Sequence, residues 1–299
     1  MRPPLLLTPG DPAGIGPEVA ARALSTFDAH PVRIVGDEAA MTPWLKRLSL
    51  PHSVFDPAAV LGTAEPVEVR SLRWGVAECL AGRAAGIVTG PIHKARLAEQ
   101  GFQWPGHTGF LGHLCGIDAP VMAFVGGRVR VALVTVHLPL QEVATALTPE
   151  RIVHTIQTAH TALQDLGMDA PRLAICGLNP HAGDDGLLGR EERDCITPAV
   201  ERCRARGIDA TGPMSAESAF MPGGRDQWDL IVAMYHDQGL VPLKALDFGR
   251  TVNWTLGLPI IRTSVDHGTA YDLVGTDTAD PSSMRAALDW AARLAAKDG

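Results

Sequence analysis

The sequence predicts a three-layer α/β protein with a mostly parallel sheet, and three observations carry that expectation. Short apolar runs alternate with longer amphipathic ones along the whole chain, the pattern of strands separated by helices. The short runs end in Gly, Pro or polar residues, as buried strands do where they leave a sheet. The length of 299 residues exceeds what one hydrophobic core usually organises, so two domains around a cleft are expected.

In chain order the expected strands are Pro4 to Thr8, Val32 to Gly36, Gly86 to Gly90, Val129 to Val136, Arg172 to Gly177, Leu230 to Tyr235 and Pro259 to Ser264. Between them the amphipathic stretches predict helices over Gly16 to Leu24, Ser71 to Ala81, Pro149 to Leu166, Arg190 to Arg206 and Pro281 to Lys297. Ligands of such folds bind beyond the C-terminal ends of the strands, so the polar segments that follow each run are the candidate site loops.

Bulk properties narrow the function classes. Hydrophobic residues make up 46% of the chain and charged residues 20%, the balance of a globular protein with a sizeable core. The formal charge of -7 argues against nucleic acid as partner, although a local cationic cluster can still serve an anionic substrate. Cys79, Cys115, Cys176, Cys195 and Cys203 are odd in number and form no Cys-x-x-Cys pair, so they read as reduced thiols of a cytoplasmic protein. The N-terminal apolar stretch is too short for a signal peptide, and no segment reaches membrane-spanning length.

Three loops in the first half of the chain have ligand-compatible chemistry. Thr8 to Glu18 is rich in Gly and Pro and leads into a helix, without the spacing of a Rossmann fingerprint or a Walker A loop; a structural turn explains it equally well. Thr89 to Lys94 places a cation after a strand, and Pro105 to Gly109 offers imidazole and hydroxyl donors suited to phosphate or carboxylate.

The weight falls on three histidines, each just after an apolar run: His137 in Thr-Val-His-Leu-Pro-Leu, His181 in Asn-Pro-His-Ala-Gly-Asp and His236 in Tyr-His-Asp-Gln-Gly. Any one alone is more simply a partner for backbone. Together they suit a catalytic metal site with one open position, assembled by tertiary structure because they lie far apart in sequence. Asp237 is placed to orient His236 or to supply an oxygen ligand. Lys244, Arg250 and Arg262 add cations, Arg262 at the end of an apolar run where plain solubility explains it poorly.

The stretch Arg-Thr-Ser-Val-Asp-His-Gly-Thr-Ala (262–270) is the most distinctive, and with seven others it makes a resemblance. Gly-Asp-Pro-Ala-Gly-Ile-Gly-Pro-Glu (10–18), Thr-Gly-Pro-Ile-His-Lys (89–94), Gly-His-Thr-Gly (106–109), Thr-Val-His-Leu-Pro-Leu (135–140), Cys-Gly-Leu-Asn-Pro-His-Ala-Gly (176–183), Met-Tyr-His-Asp-Gln-Gly-Leu (234–240) and Asn-Trp-Thr-Leu-Gly-Leu-Pro (253–259) occur in family order. The chain resembles the 4-hydroxythreonine-4-phosphate dehydrogenase family of pyridoxal phosphate biosynthesis.

That resemblance implies a two-domain fold like that of isocitrate and isopropylmalate dehydrogenases, with the active site in the interdomain cleft and at a homodimer interface. It implies a discontinuous first domain (1–105 plus 250–299) carrying an NAD loop and a second (106–249) with metal ligands and dimer contacts. Carried over by motif, His137, His181 and His236 would hold one divalent metal (Zn, Co, Mn, Ni or Mg). His107, Thr108, Lys244, Asn253 and Arg262 would bind substrate, Lys244 and Asp237 would act in catalysis, and Asp266, His267, Gly268, Thr269 and Asp272 would bind NAD, with NADP the alternative.

The implied reaction is oxidation of 4-phosphooxy-L-threonine at its 3-hydroxyl, then decarboxylation to 3-amino-2-oxopropyl phosphate. Two departures stand out: Gly109 occupies a position that is commonly acidic, and the region between Pro51 and Arg70 is short. Paralogues that oxidise phosphorylated threonate or erythronate, or cis-dihydrodiol dicarboxylates, share the same logic. A phosphohydrolase using Asp184, Asp185 and Asp237, or a non-catalytic metal-stabilised binder, are the rivals from other classes.

Overall fold

The computed structural model describes residues 2–104, 106–247 and 249–296. Two compact units make up the chain: Met1–Pro120 with Gly249–Gly299, and Val121–Phe248. The first unit contains strands β1 (Leu5–Thr8), β2 (Val32–Val35), β3 (Val54–Phe55), β4 (Gly86–Thr89), β10 (Val252–Leu256) and β11 (Ile261–Ser264). Its helices are α1 (Gly16–Leu24), α2 (Glu38–Arg47), α3 (Ala58–Leu61), α4 (Val67–Leu80), α5 (Lys94–Glu99), α6 (His107–Cys115) and α12 (Ser282–Ala295). The second unit contains β5 (Val121–Val125), β6 (Arg130–Leu133), β7 (Leu173–Cys176), β8 (Ala210–Met214) and β9 (Leu230–Ala233), with α7 (Leu140–Ala146), α8 (Pro149–Asp165), α9 (Thr197–Arg204), α10 (Ala216–Phe220) and α11 (His236–Asp247).

In the first unit the strand order is β3-β2-β1-β4-β11-β10, parallel except for the β10–β11 pair. Leu5, Leu7, Ile87 and Val88 are fully buried, as strands covered on both faces require. On one face Ile87 packs with Leu72 and Val76 of α4 and Phe110 and Leu111 of α6. On the other, Thr263 donates from Oγ1 to the Ala287 carbonyl of α12 at 2.9 Å. That helix buries Met284, Ala287, Leu288 and Ala291, one stripe at helical spacing. Helix, sheet and helix make three layers.

The second unit repeats the scheme with order β5-β6-β9-β7-β8, antiparallel only between β5 and β6. Leu240 and Leu243 of α11 pack on Val131, Leu133, Ile231 and Ala233. Gly239 makes that contact possible: a Cβ there would stand 2.7 Å from Val131 Cγ1 and 3.0 Å from Leu133 Cδ2. Only a bare backbone can lie so close to the strands.

Each expected strand appears, trimmed by a residue or more at its ends. Strands β3, β5, β8 and β10 were not foreseen. β8 carries Gly212 and Pro213, which argue against a strand, and its register with β7 shifts there. Helix α11 was hidden by Gly239 and Pro242, and α6 by Gly109 and Gly112. The helix expected over Arg190 to Arg206 is a π-turn, Glu192–Ile196, running into α9. The helix expected to reach Lys297 is seen to Ala295, and Lys297, like Pro105 of the Pro-Gly-His-Thr loop, lies outside the described residues. The first unit extends to Pro120 rather than to 105, because α6 packs its Phe110 and Leu111 into that unit's core.

Candidate active site

The first cluster follows from strand geometry. Side chains alternate across a sheet, so Asn253, Thr255, Arg262 and Thr89 fall on one face. Asn253 pairs with Ser264, which sets Thr255 opposite Arg262, while Ser264 lies beside Thr89 on β4. Arg262 is only 2% exposed. Its NH1 donates to Thr255 Oγ1 at 2.9 Å and to Asn253 Oδ1 at 3.5 Å, and its NH2 to Thr89 Oγ1 at 2.9 Å and His107 Nδ1 at 3.2 Å. All four partners are neutral, and Nε has no partner among the described residues. Burial pushes this guanidinium down to about 9, still a cation at neutral pH.

His107 opens α6 at this spot. Arg262 can only donate, so Nδ1 of His107 accepts and the proton sits on Nε2. Burial first, then the charges of Arg262 and Lys94, hold its pKa well below the usual 6.5. His107 is therefore a neutral imidazole with an N–H to offer. A Cβ built on Gly106 would lie 3.7 Å from Lys94 Nζ, which brings a second cation to the same corner. A buried cation with neutral neighbours and unspent donors is a place built for an anion. Thr108 follows His107 in the first turn of α6, half-buried.

The second cluster is the loop after β11. Thr269 is buried and Gly268 exposed, with Asp266 and His267 between, while Asp272 lies exposed in a short 3-10 turn. His267 Nδ1 donates to the Gly268 carbonyl at 3.0 Å, so in the neutral ring Nε2 is an acceptor. That Nε2 is buried and unpaired, which fits an amino donor such as an adenine presents. Thr269 O accepts from Ile15 N–H at 3.0 Å, and Gly14 has no room for a Cβ, which would meet that oxygen at 2.8 Å.

The third cluster belongs to the second unit. His137 follows β6 and His236 starts α11, and their ring centroids stand 5.8 Å apart. Such a spacing suits two imidazoles facing one ion, each ligating nitrogen at about 2.1 Å from it. His236 Nδ1 donates to Asp237 Oδ1 at 2.7 Å, which leaves Nε2 with the lone pair a metal takes. Among the described residues no group of three His, Cys, Asp or Glu is arranged to hold an ion. The two rings fit a metal, and His181 is not brought into a group with them.

His181 sits instead in an unusual turn. His181, Ala182, Gly183, Asp184 and Asp185 all have positive φ, between 44° and 82°. Each non-glycine residue held so costs about 1 kcal/mol or more, and the surroundings must hold it there. Glu192, buried on the π-turn, lies against Gly183 and ties down the two residues before the turn. Its Oε1 accepts from Leu178 N–H at 2.7 Å and Asn179 N–H at 2.8 Å, and its Oε2 from Asn179 Nδ2 at 2.9 Å.

Lys244 lies on α11 with His236 and Asp237, half-buried, while Arg250 is exposed. Four residues that shape these clusters were not singled out from the sequence: Thr89, Thr255, Glu192 and Gln238. Gln238 accepts from Met234 N–H at 2.6 Å and donates to the Gly177 carbonyl at 2.7 Å, tying the ends of β9 and β7. Period-2 alternation could have found Thr255 opposite Arg262 had β10 been recognised. No local pattern marks the other three. All five cysteines are free, and burial pushes the thiols of Cys79 and Cys176 up to about 12, which fits inert packing groups.

The chain has relatives along its whole length. The 4-hydroxythreonine-4-phosphate dehydrogenase of Xanthomonas axonopodis pv. citri is 43% identical, with 99% of each chain covered. The crystal structure of the 4-hydroxythreonine-4-phosphate dehydrogenase from Klebsiella pneumoniae is 34% identical and superposes with a TM-score of 0.86 over 98% of this chain and 99% of that one. A terephthalate 1,2-cis-dihydrodiol dehydrogenase from Burkholderia xenovorans, 26% identical, matches with a TM-score of 0.69 over 97% of each. These relatives make the chain an α/β oxidoreductase acting on a CH–OH group, a class that works with a nicotinamide cofactor. The model of the pyridoxal phosphate biosynthetic protein PdxA matches residues 17–291, and the chain belongs to that family. No helix among the described residues is long and apolar enough to cross a membrane.

Proposed function

We propose that this protein oxidises 4-phosphooxy-L-threonine at its 3-hydroxyl with NAD, and that the product loses its carboxylate as carbon dioxide to give 3-amino-2-oxopropyl phosphate. One observation carries the reading: Arg262 is a buried cation whose hydrogen-bond partners are all neutral. An anionic end of the substrate would complete it, with His107 donating from Nε2 and Thr108, Asn253 and Lys244 completing the grip.

His137, His181 and His236 would hold a divalent ion, zinc or a similar borderline metal suiting imidazole best. Such an ion supplies Lewis acidity, lowering the pKa of the substrate hydroxyl and drawing off the charge released by decarboxylation. Asp237 fixes the His236 ring. Lys244, on the same helix, would move the hydroxyl proton as the carbon gives up hydride to the nicotinamide. His267, Thr269, Gly268, Asp266 and Asp272 would hold the adenosine end of NAD. The working form in this reading is a cytoplasmic homodimer, its subunit interface completing the site.

The test is NADH formation, followed by absorbance, across a panel of substrates with and without added metal. Turnover of 4-phosphooxy-L-threonine that needs metal supports the reading. Preferential turnover of phosphorylated threonate or of a cis-dihydrodiol dicarboxylate reassigns the substrate within the family. The dihydrodiol dehydrogenase among the structural relatives gives that second outcome its motive. Phosphate release without NADH would overturn the oxidoreductase reading.

A further inference from the structure

Tyr271 lies between Thr269 and Asp272 of the loop read as the cofactor's and has no role in the site described above. It is 43% exposed, yet its hydroxyl reaches inward to Asp11, which is 0% exposed, and donates to Oδ2 at 2.5 Å. The other carboxylate oxygen is already engaged: Oδ1 accepts from Ala13 N–H at 2.9 Å and pairs with Arg96 at 3.0 Å. Arg96 in turn is paired with Glu68 of α4. Asp11 N–H donates to the Pro91 carbonyl at 2.9 Å. The carboxylate therefore sits where the loops after β1 and β4 meet α4 and α5, and Tyr271 ties the loop after β11 to that rigid centre.

The residue before the tie shows why one is needed. Ala270 has φ 42°, a left-handed conformation that an alanine does not adopt without restraint. On its N-terminal side Thr269 is held through Ile15, and on its C-terminal side the restraint is Tyr271 through Asp11. The tyrosine ring also lies 5.5 Å from that of His93, a tilted contact on the β4 side. Burial and the Asp11 bond raise the pKa of the phenol, so it stays a donor across the working range.

We propose that Tyr271, acting through Asp11, is a positioning residue that fixes the 266–272 loop and so sets the affinity for the nicotinamide cofactor. This rests on the reading of that loop as the cofactor's adenosine site. A hydroxyl bonded to a buried carboxylate is a directional restraint on a strained turn, and without it the loop must be ordered when the cofactor binds.

The experiment uses Tyr271→Phe and His267→Ala in the full-length enzyme, with NADH affinity measured by fluorescence titration and amide exchange of the loop measured without cofactor. Tyr271→Phe should weaken NADH by about fivefold, speed exchange over 267–272, and leave kcat at saturating NAD and the KM of the phosphorylated substrate close to wild type. His267→Ala should also weaken NADH. If His267→Ala weakens NADH and Tyr271→Phe changes neither affinity nor exchange, the positioning role is overturned and the loop assignment stands. If neither variant alters affinity, the loop assignment falls and the proposal with it. A Tyr271→Phe enzyme that loses kcat and melting temperature together, with affinity intact, marks a purely structural contact and also overturns it.

Discussion

The corner around Arg262 and the turn around His181 set their side chains in place by opposite means. Arg262, Thr255, Asn253 and Thr89 share a face because strands alternate, and ordinary extended backbone does all the placing. His181 is placed by five consecutive left-handed residues, a costly run for any chain, which Glu192 helps to hold from the residues just before it. In the first region the cost is electrostatic, a buried cation among neutral groups. In the second it is conformational. A site can store its readiness for a ligand in either form, and removing the device should then have different side effects.

The largest effect is expected at Arg262. Arg262→Met should lower kcat/KM by about 10³-fold, while the melting temperature holds or rises because an unpaired buried charge has been removed. Steady-state kinetics and calorimetry on one preparation check both. A collapse of stability with a modest rate loss would make Arg262 a structural residue. Glu192→Gln should weaken divalent-metal binding by about 10- to 100-fold and also cost stability of about 1–3 kcal/mol. One Glu192 oxygen becomes a donor facing Asn179 Nδ2, so both readouts should move together. A metal titration unchanged from wild type would detach the turn from metal binding.

Thr255→Val removes one neutral acceptor from Arg262. The expected outcome is a substrate KM raised about tenfold with kcat nearly unchanged, read from saturation curves. The smallest effect concerns pH. The His107 pKa is depressed in the fold, so below about pH 6.5 the unfolded chain takes up a proton that the folded chain refuses. Stability from this group is complete above that pH and is lost as pH falls toward the depressed value. Denaturant titrations of His107→Asn against wild type between pH 7 and pH 5 should show a shallower acid loss in the variant, and parallel curves would show that the imidazole titrates normally.

The architecture was legible where burial is symmetrical. β1, β4, β7 and β9 are buried throughout and largely apolar because helices cover both faces, and such runs announce themselves. β10 was not, since its Asn253 and Thr255 face Arg262, and polar side chains on one face interrupt the apolar pattern that defines a buried strand. The same interruption is what made Arg262 noticeable at the end of its run. The left-handed turn could not have been foreseen: Pro-His-Ala-Gly-Asp-Asp carries one glycine, and the restraint comes from Glu192 further along the chain. Tertiary bonds decide that conformation, and the local sequence only permits it. Lys94, the cation placed after β4, is exposed and stands near the Arg262 corner.

The amide of Gln238 has a mechanical meaning. By taking the Met234 N–H and giving its own to the Gly177 carbonyl, it stands in for a peptide group and adds one rung where the β9–β7 ladder has ended. The chain segments leading to His236 and to His181 start from those two riveted ends. The amide thereby fixes, relative to each other, the two backbone positions from which the histidine-bearing segments leave the sheet.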